Sequence, residues 1–151
     1  MHVDEIPVAQ TPPGGYGAEM PPPVLAGCAD PLSDGAPDLR GLWEIVGPEH
    51  PDGPPVPIGQ RQRIEQAGDR LVVTSGGVVH DMRCDGTLDN GVNDVAAADF
   101  TTPVRVAATF EDGVHVLRPE GLPVEVTRHL EGEQLIWRYV GFAARLERVS
   151  D

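Results

Sequence analysis

Three polar side chains able to bind or transform a small molecule lie within short runs of alternating apolar residues: His80, Arg128 and Tyr139. An arginine can hold a carboxylate, enolate or carbonyl oxygen through paired hydrogen bonds. A histidine can move a proton near neutral pH, and a tyrosine can donate to a developing oxyanion. Each residue also has a purely structural interpretation. Arg128 could reach solvent and pair with a surface acid, His80 could be a neutral core histidine, and Tyr139 could be a core residue whose hydroxyl is hydrogen-bonded.

The run 77–84 assigns His80 to an inner face. Successive side chains of a β-strand point to opposite faces. His80 shares one face with Met82 and Cys84, while Asp81 and Arg83 share the other. The charged pair belongs in water, so the sequence predicts that His80 and Met82 point into the protein.

The runs 123–130 and 133–140 place the other two polar groups inside by the same argument. Arg128 alternates with Val126, and Tyr139 with Trp137. Trp137 is either a wall residue or a platform for a ligand. The other side chains expected inside are Trp43, Ile45, Ile64, Val78, Val104, Val106, Ala108, Phe110, Val116, Val124, Leu130 and Leu135.

A guanidinium inside an apolar core needs a partner, because burying it alone costs several kcal/mol, on the order of 3–5. Asp94 is the nearest plausible internal carboxylate, and several carbonyls or a ligand oxygen are the alternatives. We therefore take His80, Arg128 and Tyr139 as candidate catalytic residues. The candidate ligand-binding residues are Trp43, Met82, Asp94, Val106, Phe110, Val126 and Trp137.

The elements that must position these residues are β-strands. Asp-Gly, Glu-Gly, Gly-Gly and Asn-Gly pairs recur between the apolar runs, and such pairs supply the backbone conformation that tight hairpins need. The sequence predicts an all-β fold, an antiparallel up-and-down barrel of about 8–10 strands. The expected strands are 41–46, 60–67, 70–75, 77–84, 91–99, 103–110, 113–118, 123–130, 133–140 and 142–149.

The first 39 residues differ in composition from the rest of the chain. Residues 1–59 hold most of the prolines, and residues 1–39 carry acidic side chains before the first arginine at position 40. Such a segment forms neither a long helix nor a long paired strand. We expect a Pro/Gly-rich extension over 1–39, disordered or folded over the barrel as a lid, and a barrel domain over 40–151. A short helical turn within 31–39 is the most that the extension allows.

Composition and charge narrow the classes of partner. The net charge is −13 and every basic residue is arginine. Nucleic acids and anionic membranes select for basic patches, so we expect neither as a partner. Cys28 and Cys84 form no zinc motif, and the histidines lack ligand spacing, so we expect no metal. The chain has no Walker loop and no Rossmann fingerprint, and we expect no cofactor. Free thiols favour a cytoplasmic location, with a Cys28–Cys84 bridge as the alternative, and a homodimer is left open.

Gly41-Leu42-Trp43 at the start of the first predicted strand, with Arg145 or Arg148 in the last, resembles the two marks of the calycin superfamily. That superfamily includes lipocalins, fatty-acid-binding proteins and avidins. The resemblance implies that Trp43 closes one barrel end and that one of the late arginines lies over its indole ring. It implies a barrel over residues 40–149 and names no ligand.

Three functions fit such a barrel. The first is binding of an apolar or amphipathic small molecule, oriented by a few polar groups. The second is a cofactor-independent cyclase or isomerase acting on a polyketide-like substrate, because small bacterial barrels of similar appearance include such enzymes. The third is a filled barrel with a structural or interaction role.

Overall fold

The computed structural model describes residues 1–150 and is all-β, as the turn spacing predicts. One 3₁₀ turn, Val3–Glu5, is the only helical element in that part of the chain, and it lies outside the segment 31–39 where we allowed one. The ten strands are β1 Gly41–Pro48, β2 Arg61–Ala67, β3 Arg70–Ser75, β4 Val78–Arg83, β5 Val92–Val95, β6 Pro103–Glu111, β7 Val114–Pro119, β8 Val126–Glu131, β9 Gln134–Arg138 and β10 Ala143–Ser150.

The strands form one antiparallel sheet that curls into a nearly closed barrel. Its order is β4-β3-β2-β1-β10-β9-β8-β7-β6-β5, so every sequential neighbour pairs except β4 with β5, and β1 pairs with β10. A few hydrogen bonds join the two edges of the sheet, β4 and the segment around β5, and we call this junction the seam. The backbone N–H of Arg83 donates to the carbonyl of Asn90 at 2.7 Å, and His80 Nε2 bonds the carbonyl of Val95 at 3.0 Å.

The two ends of the barrel differ in their connections. In an up-and-down sheet, the connections after odd-numbered strands all lie at one end. Three of them, 49–60, 96–102 and 120–125, are long, whereas the other end has the short turns 68–69, 112–113 and 132–133 and a single long connection, 84–91. We call the long-loop end the mouth. Long loops on a rigid scaffold are where binding residues often concentrate.

The other end is closed around Trp43. The indole N–H of this fully buried residue donates to the carbonyl of Leu39 at 2.9 Å. The Arg148 guanidinium lies over the ring, with Cζ 4.5 Å from its centroid. Gly41 has φ +142, and a Cβ there would lie 3.0 Å from Arg148 Nε. Glycine at this position therefore lets the arginine approach the indole.

Residues before Leu39 run along the outside of the barrel, and Leu39 itself is buried in the main core beside Trp43. Val3 and Leu25 are buried against Ala67, Val72 and Val79 of β2, β3 and β4. This contact explains why β3 is buried on both faces. None of the residues 1–39 lines the barrel cavity described below. The division of the chain at residue 39 stays a prediction.

A buried ion pair fastens the extension to the wall. Arg70 and Asp81 form a bidentate ion pair, in which Arg70 Nε donates to Asp81 Oδ1 at 2.9 Å and Arg70 Nη2 donates to Asp81 Oδ2 at 2.6 Å. The same guanidinium donates to the carbonyls of Val3, Ile6 and Pro7. Sequence alternation places Asp81 on the outer face, and the structure shows that this face is covered by the extension rather than by water.

The strand boundaries lie within two residues of the predicted runs except at β5 and β8. The run 91–99 keeps only Val92–Val95 as strand, and 123–130 begins at Val126. In β7 the prediction that Val116 points inward is wrong, because Leu117 packs in the core and Val116 takes the opposite face. Cys28 and Cys84 are free, and no helix within residues 1–150 is long and apolar enough to cross a membrane.

Candidate ligand-binding cavity

A cavity of about 500 Å³ opens at the mouth and extends into the barrel. Apolar side chains from both halves of the sheet form most of its wall, so the barrel interior is not filled by its own residues at this end. The lining residues are Pro57, Gln60, Gln62, Val73, Ser75, Gly76, Val78, His80, Ala97, Ala98, Val106, Leu117, Pro119, Leu122, Val124, Val126, Arg128, Trp137, Tyr139, Val140 and Phe142.

All three candidate catalytic residues line this one cavity. His80 comes from β4, Arg128 from β8 and Tyr139 from the segment after β9. Val106, Val126 and Trp137, from the candidate ligand-binding residues, line it as well. The period-two argument therefore identified side chains that converge from distant parts of the sequence.

Four of the candidate ligand-binding residues lie elsewhere. Trp43 belongs to the closed end, and Met82 is buried in the core below the cavity. Phe110 is a half-buried core residue whose ring centroid lies 5.8 Å from that of His115. Asp94 accepts hydrogen bonds from the backbone N–H groups of Thr11 and Val95, at 2.8 and 2.6 Å, and so ties the extension to β5.

Arg128 is almost fully buried, with 5% of its surface exposed. Its Nε donates to Gln62 Oε1 at 3.2 Å, and its Cζ lies 5.3 Å from the centre of the Trp137 ring. It forms no ion pair with any carboxylate in residues 1–150, so neither Asp94 nor a surface acid is its partner. Burial lowers the pKa of Arg128 to about 10, which still leaves it charged at neutral pH.

Three buried donors that belong to cavity-lining residues have no acceptor within the described part of the chain. They are Arg128 Nη1, Gln62 Nε2 and Trp137 Nε1, all buried. Most buried polar groups in proteins are hydrogen-bonded, so these three donors lack the acceptor that such groups normally have. We had not singled out Gln62, although the sequence carried the signal: it shares a strand face with Ile64, which we expected inside.

His80 is half-buried and bonded on one side. Its Nε2 must carry the proton that it shares with the carbonyl of Val95, since a carbonyl only accepts. In the neutral ring Nδ1 is then the basic nitrogen. Desolvation by burial is the main cause that lowers the pKa of His80, and nearby Arg128 acts in the same direction. His80 is therefore a neutral base at physiological pH.

His115 lies deeper than the cavity and was not among the candidates. It is fully buried, both ring nitrogens lack a partner within residues 1–150, and it is paired in register with Arg128. Burial, with a smaller contribution from Arg128, lowers its pKa to about 3. The mixed faces of the run 113–118 hid this residue, since the apolar side chains there do not alternate cleanly.

Aromatic rings form the wall between Arg128 and the mouth. The Trp137 ring centroid lies 4.9 Å from that of Tyr139 and 5.4 Å from that of Phe142. Tyr139 is 44% exposed, so it belongs to the rim of the cavity rather than to the core that we expected. The cavity thus changes from a polar, donor-rich base to an apolar and partly aromatic mouth.

Within residues 1–150 no group of three or more histidine, cysteine, aspartate or glutamate side chains is arranged to hold a metal ion. No protein-family model matches the chain, and no curated protein sequence matches it. The arrangement of the cavity is consequently the main guide to function.

Proposed function

We propose that this calycin-like barrel binds an apolar or amphipathic small molecule in the mouth cavity. The observation that carries the proposal is Arg128, a buried guanidinium without an acid partner in residues 1–150, in the wall of a largely apolar cavity of about 500 Å³. A cavity of this size with few polar groups is typical of small-molecule sites. The apolar wall supports binding of the body of the ligand, and the donors at its base support its orientation.

Energetics also favour this interpretation. Desolvating an unpaired guanidinium is unfavourable by several kcal/mol, of order 3–5, unless an acceptor compensates. A ligand oxygen placed against Arg128 Nη1 would supply that acceptor. The cost that Arg128 imposes on the empty protein would then be recovered as binding free energy.

Two measurements test the proposal. Native mass spectrometry of protein purified from its own host should show a noncovalent adduct that is lost on denaturation. Nile red, a neutral apolar dye, should increase its fluorescence when titrated with the protein. Val106→Trp, which fills the cavity, should abolish the dye signal, while Val46→Trp on the outer surface should leave it unchanged. Absence of both the adduct and the dye signal contradicts the proposal.

One observation favours a second candidate, a cofactor-independent cyclase or isomerase. His80 presents a basic Nδ1 from the wall of the same cavity that contains Arg128, so a proton could be removed beside a group that stabilises an enolate. Benzoylacetone in D₂O is a suitable probe. Wild-type protein should accelerate deuterium incorporation at the central carbon, and His80→Gln should lose the acceleration with little change in binding. Equal exchange with both proteins excludes this role of His80.

A further inference from the structure

The base of the cavity offers hydrogen-bond donors and almost no acceptors. Gln62 Oε1 is already bonded to Arg128 Nε, while Gln62 Nε2, Arg128 Nη1 and Trp137 Nε1 have no acceptor in residues 1–150. Arginine and the indole N–H cannot act as acceptors at all. A ligand group that satisfies this base must therefore bring acceptor oxygens rather than N–H or ammonium groups.

The charge of the lining points in the same direction. Arg128 is the only residue among those that line the cavity with a fixed charge, and no Asp or Glu is among them. The whole chain, in contrast to this lining, has a net charge of −13. A buried cation that the protein leaves without a counter-charge in such an acidic chain favours an anionic ligand group, since a charge-assisted bond is about twice as strong as a neutral one.

The body of the ligand faces aromatic rings. Trp137, Tyr139 and Phe142 line the cavity next to Arg128, with ring centroids 4.9, 5.4 and 5.5 Å apart. The Arg128 guanidinium lies near the Trp137 ring, 5.3 Å from its centre, which places the cation at the inner end of this aromatic wall. Flat ring systems gain stacking or edge contacts on such a wall that a saturated chain does not make.

We propose that the ligand is an aromatic acid, an aryl carboxylate or an equivalent aromatic enolate. Its oxygens accept from Arg128 Nη1 and Gln62 Nε2, and its ring system lies along Trp137, Tyr139 and Phe142. The proposal rests on the proposed function, because it names the chemical class that the mouth cavity binds. It goes beyond that function in requiring both a negative charge and a planar body.

Calorimetric titration with three probes tests the class. Naphthoate has the charge and the ring, naphthylmethanol has the ring without the charge, and decanoate has the charge on a saturated chain. We expect naphthoate to bind about tenfold or more tightly than naphthylmethanol, the size of one charge-assisted hydrogen bond. We also expect it to bind more tightly than decanoate, because only naphthoate contacts the aromatic wall through a flat surface.

Variants assign the preference to particular residues. Arg128→Met should bring the affinities for naphthoate and naphthylmethanol to within about twofold, while Gln62→Leu should reduce the preference only in part. Arg118→Met is the matched control, since it removes one arginine at the surface, where Arg118 pairs with Glu111 and Glu125. It should leave the preference for naphthoate unchanged.

The outcomes separate this inference from the proposed function. If Nile red binds but naphthylmethanol binds as tightly as naphthoate, the barrel binds ligands, and the inference that its ligand is an anion is wrong. If decanoate binds as tightly as naphthoate, the inference that the ligand has an aromatic ring system is wrong. If Nile red and all three probes fail to bind a protein that is folded by circular dichroism, the proposed function itself fails.

Discussion

The Arg148 guanidinium lies over the indole ring of Trp43, with Cζ 4.5 Å from the ring centroid. This contact joins the first strand to the last and covers the closed end of the barrel. It also decides between the two late arginines of the sequence: Arg145 instead bonds Glu131, Gln134 and the carbonyl of Glu49.

Removing this arginine should loosen the closed end. We expect Arg148→Met to lower the free energy of unfolding by about 1 kcal/mol, the size of a cation–π contact at a partly exposed site. In a Trp137→Phe background, which leaves Trp43 as the single tryptophan, the substitution should also shift the emission of Trp43. Arg145→Met is the control, and an equal shift with it would contradict the assignment.

Replacing Arg70 and replacing Arg128 together with Gln62 should change the unfolding free energy in opposite directions. Arg70 is paired with Asp81, so Arg70→Met leaves a buried carboxylate alone and should cost about 3–5 kcal/mol of unfolding free energy. The double variant Gln62→Leu with Arg128→Met removes an unpaired buried cluster and should be neutral or stabilising by about 1–4 kcal/mol. Urea unfolding of both proteins measures this difference. A destabilised double variant would show that Arg128 has a structural partner in solution.

The extension should contribute to stability through its buried side chains. Leu25 is 6% exposed against the outer wall, so Leu25→Ala should lower the unfolding free energy by about 2–3 kcal/mol. Val8, at 62% exposure in the same segment, is the matched control, and Val8→Ala should change it by less than about 0.5 kcal/mol. Equal and negligible effects of the two substitutions would mean that residues 1–39 are not docked in solution.

Acidification should destabilise the protein through His115. Its pKa of about 3 in the folded state is below the unfolded value near 6.5, so only the unfolded chain takes up the proton between these values. Stability is therefore lost as the pH falls below about 6.5, by at most about 1.4 kcal/mol per pH unit. Urea unfolding between pH 7 and 5 measures the slope.

A leucine substitution isolates the contribution of His115. His115→Leu should reduce that slope by about 1 kcal/mol per pH unit near pH 5.5. The remaining slope includes His80, whose pKa is also lowered. An unchanged slope in His115→Leu would show that His115 is not buried in its neutral form.

Periodicity and turn chemistry made the barrel predictable. Alternating apolar residues and Gly-containing turns are local signals, so the ten strands and the inward direction of His80 and Arg128 could be inferred from neighbouring residues alone. The same local rule was available for Gln62, which shares a face with Ile64. It failed for His115, because Val114 and Val116 made the outer face of β7 look like the inner one.

The sequence by itself determined the strands, their sequential pairing and most of the inner face, because each depends on residues close together in the chain. The tertiary structure decided which inward residues meet at the mouth, that Arg128 takes Gln62 rather than Asp94, and that Val3 and Leu25 of the extension pack on the outer wall. These depend on curvature and on contacts between residues far apart in sequence, such as Arg70 with Val3. No local pattern encodes such contacts, because they are chosen only when the closed sheet brings the two surfaces together.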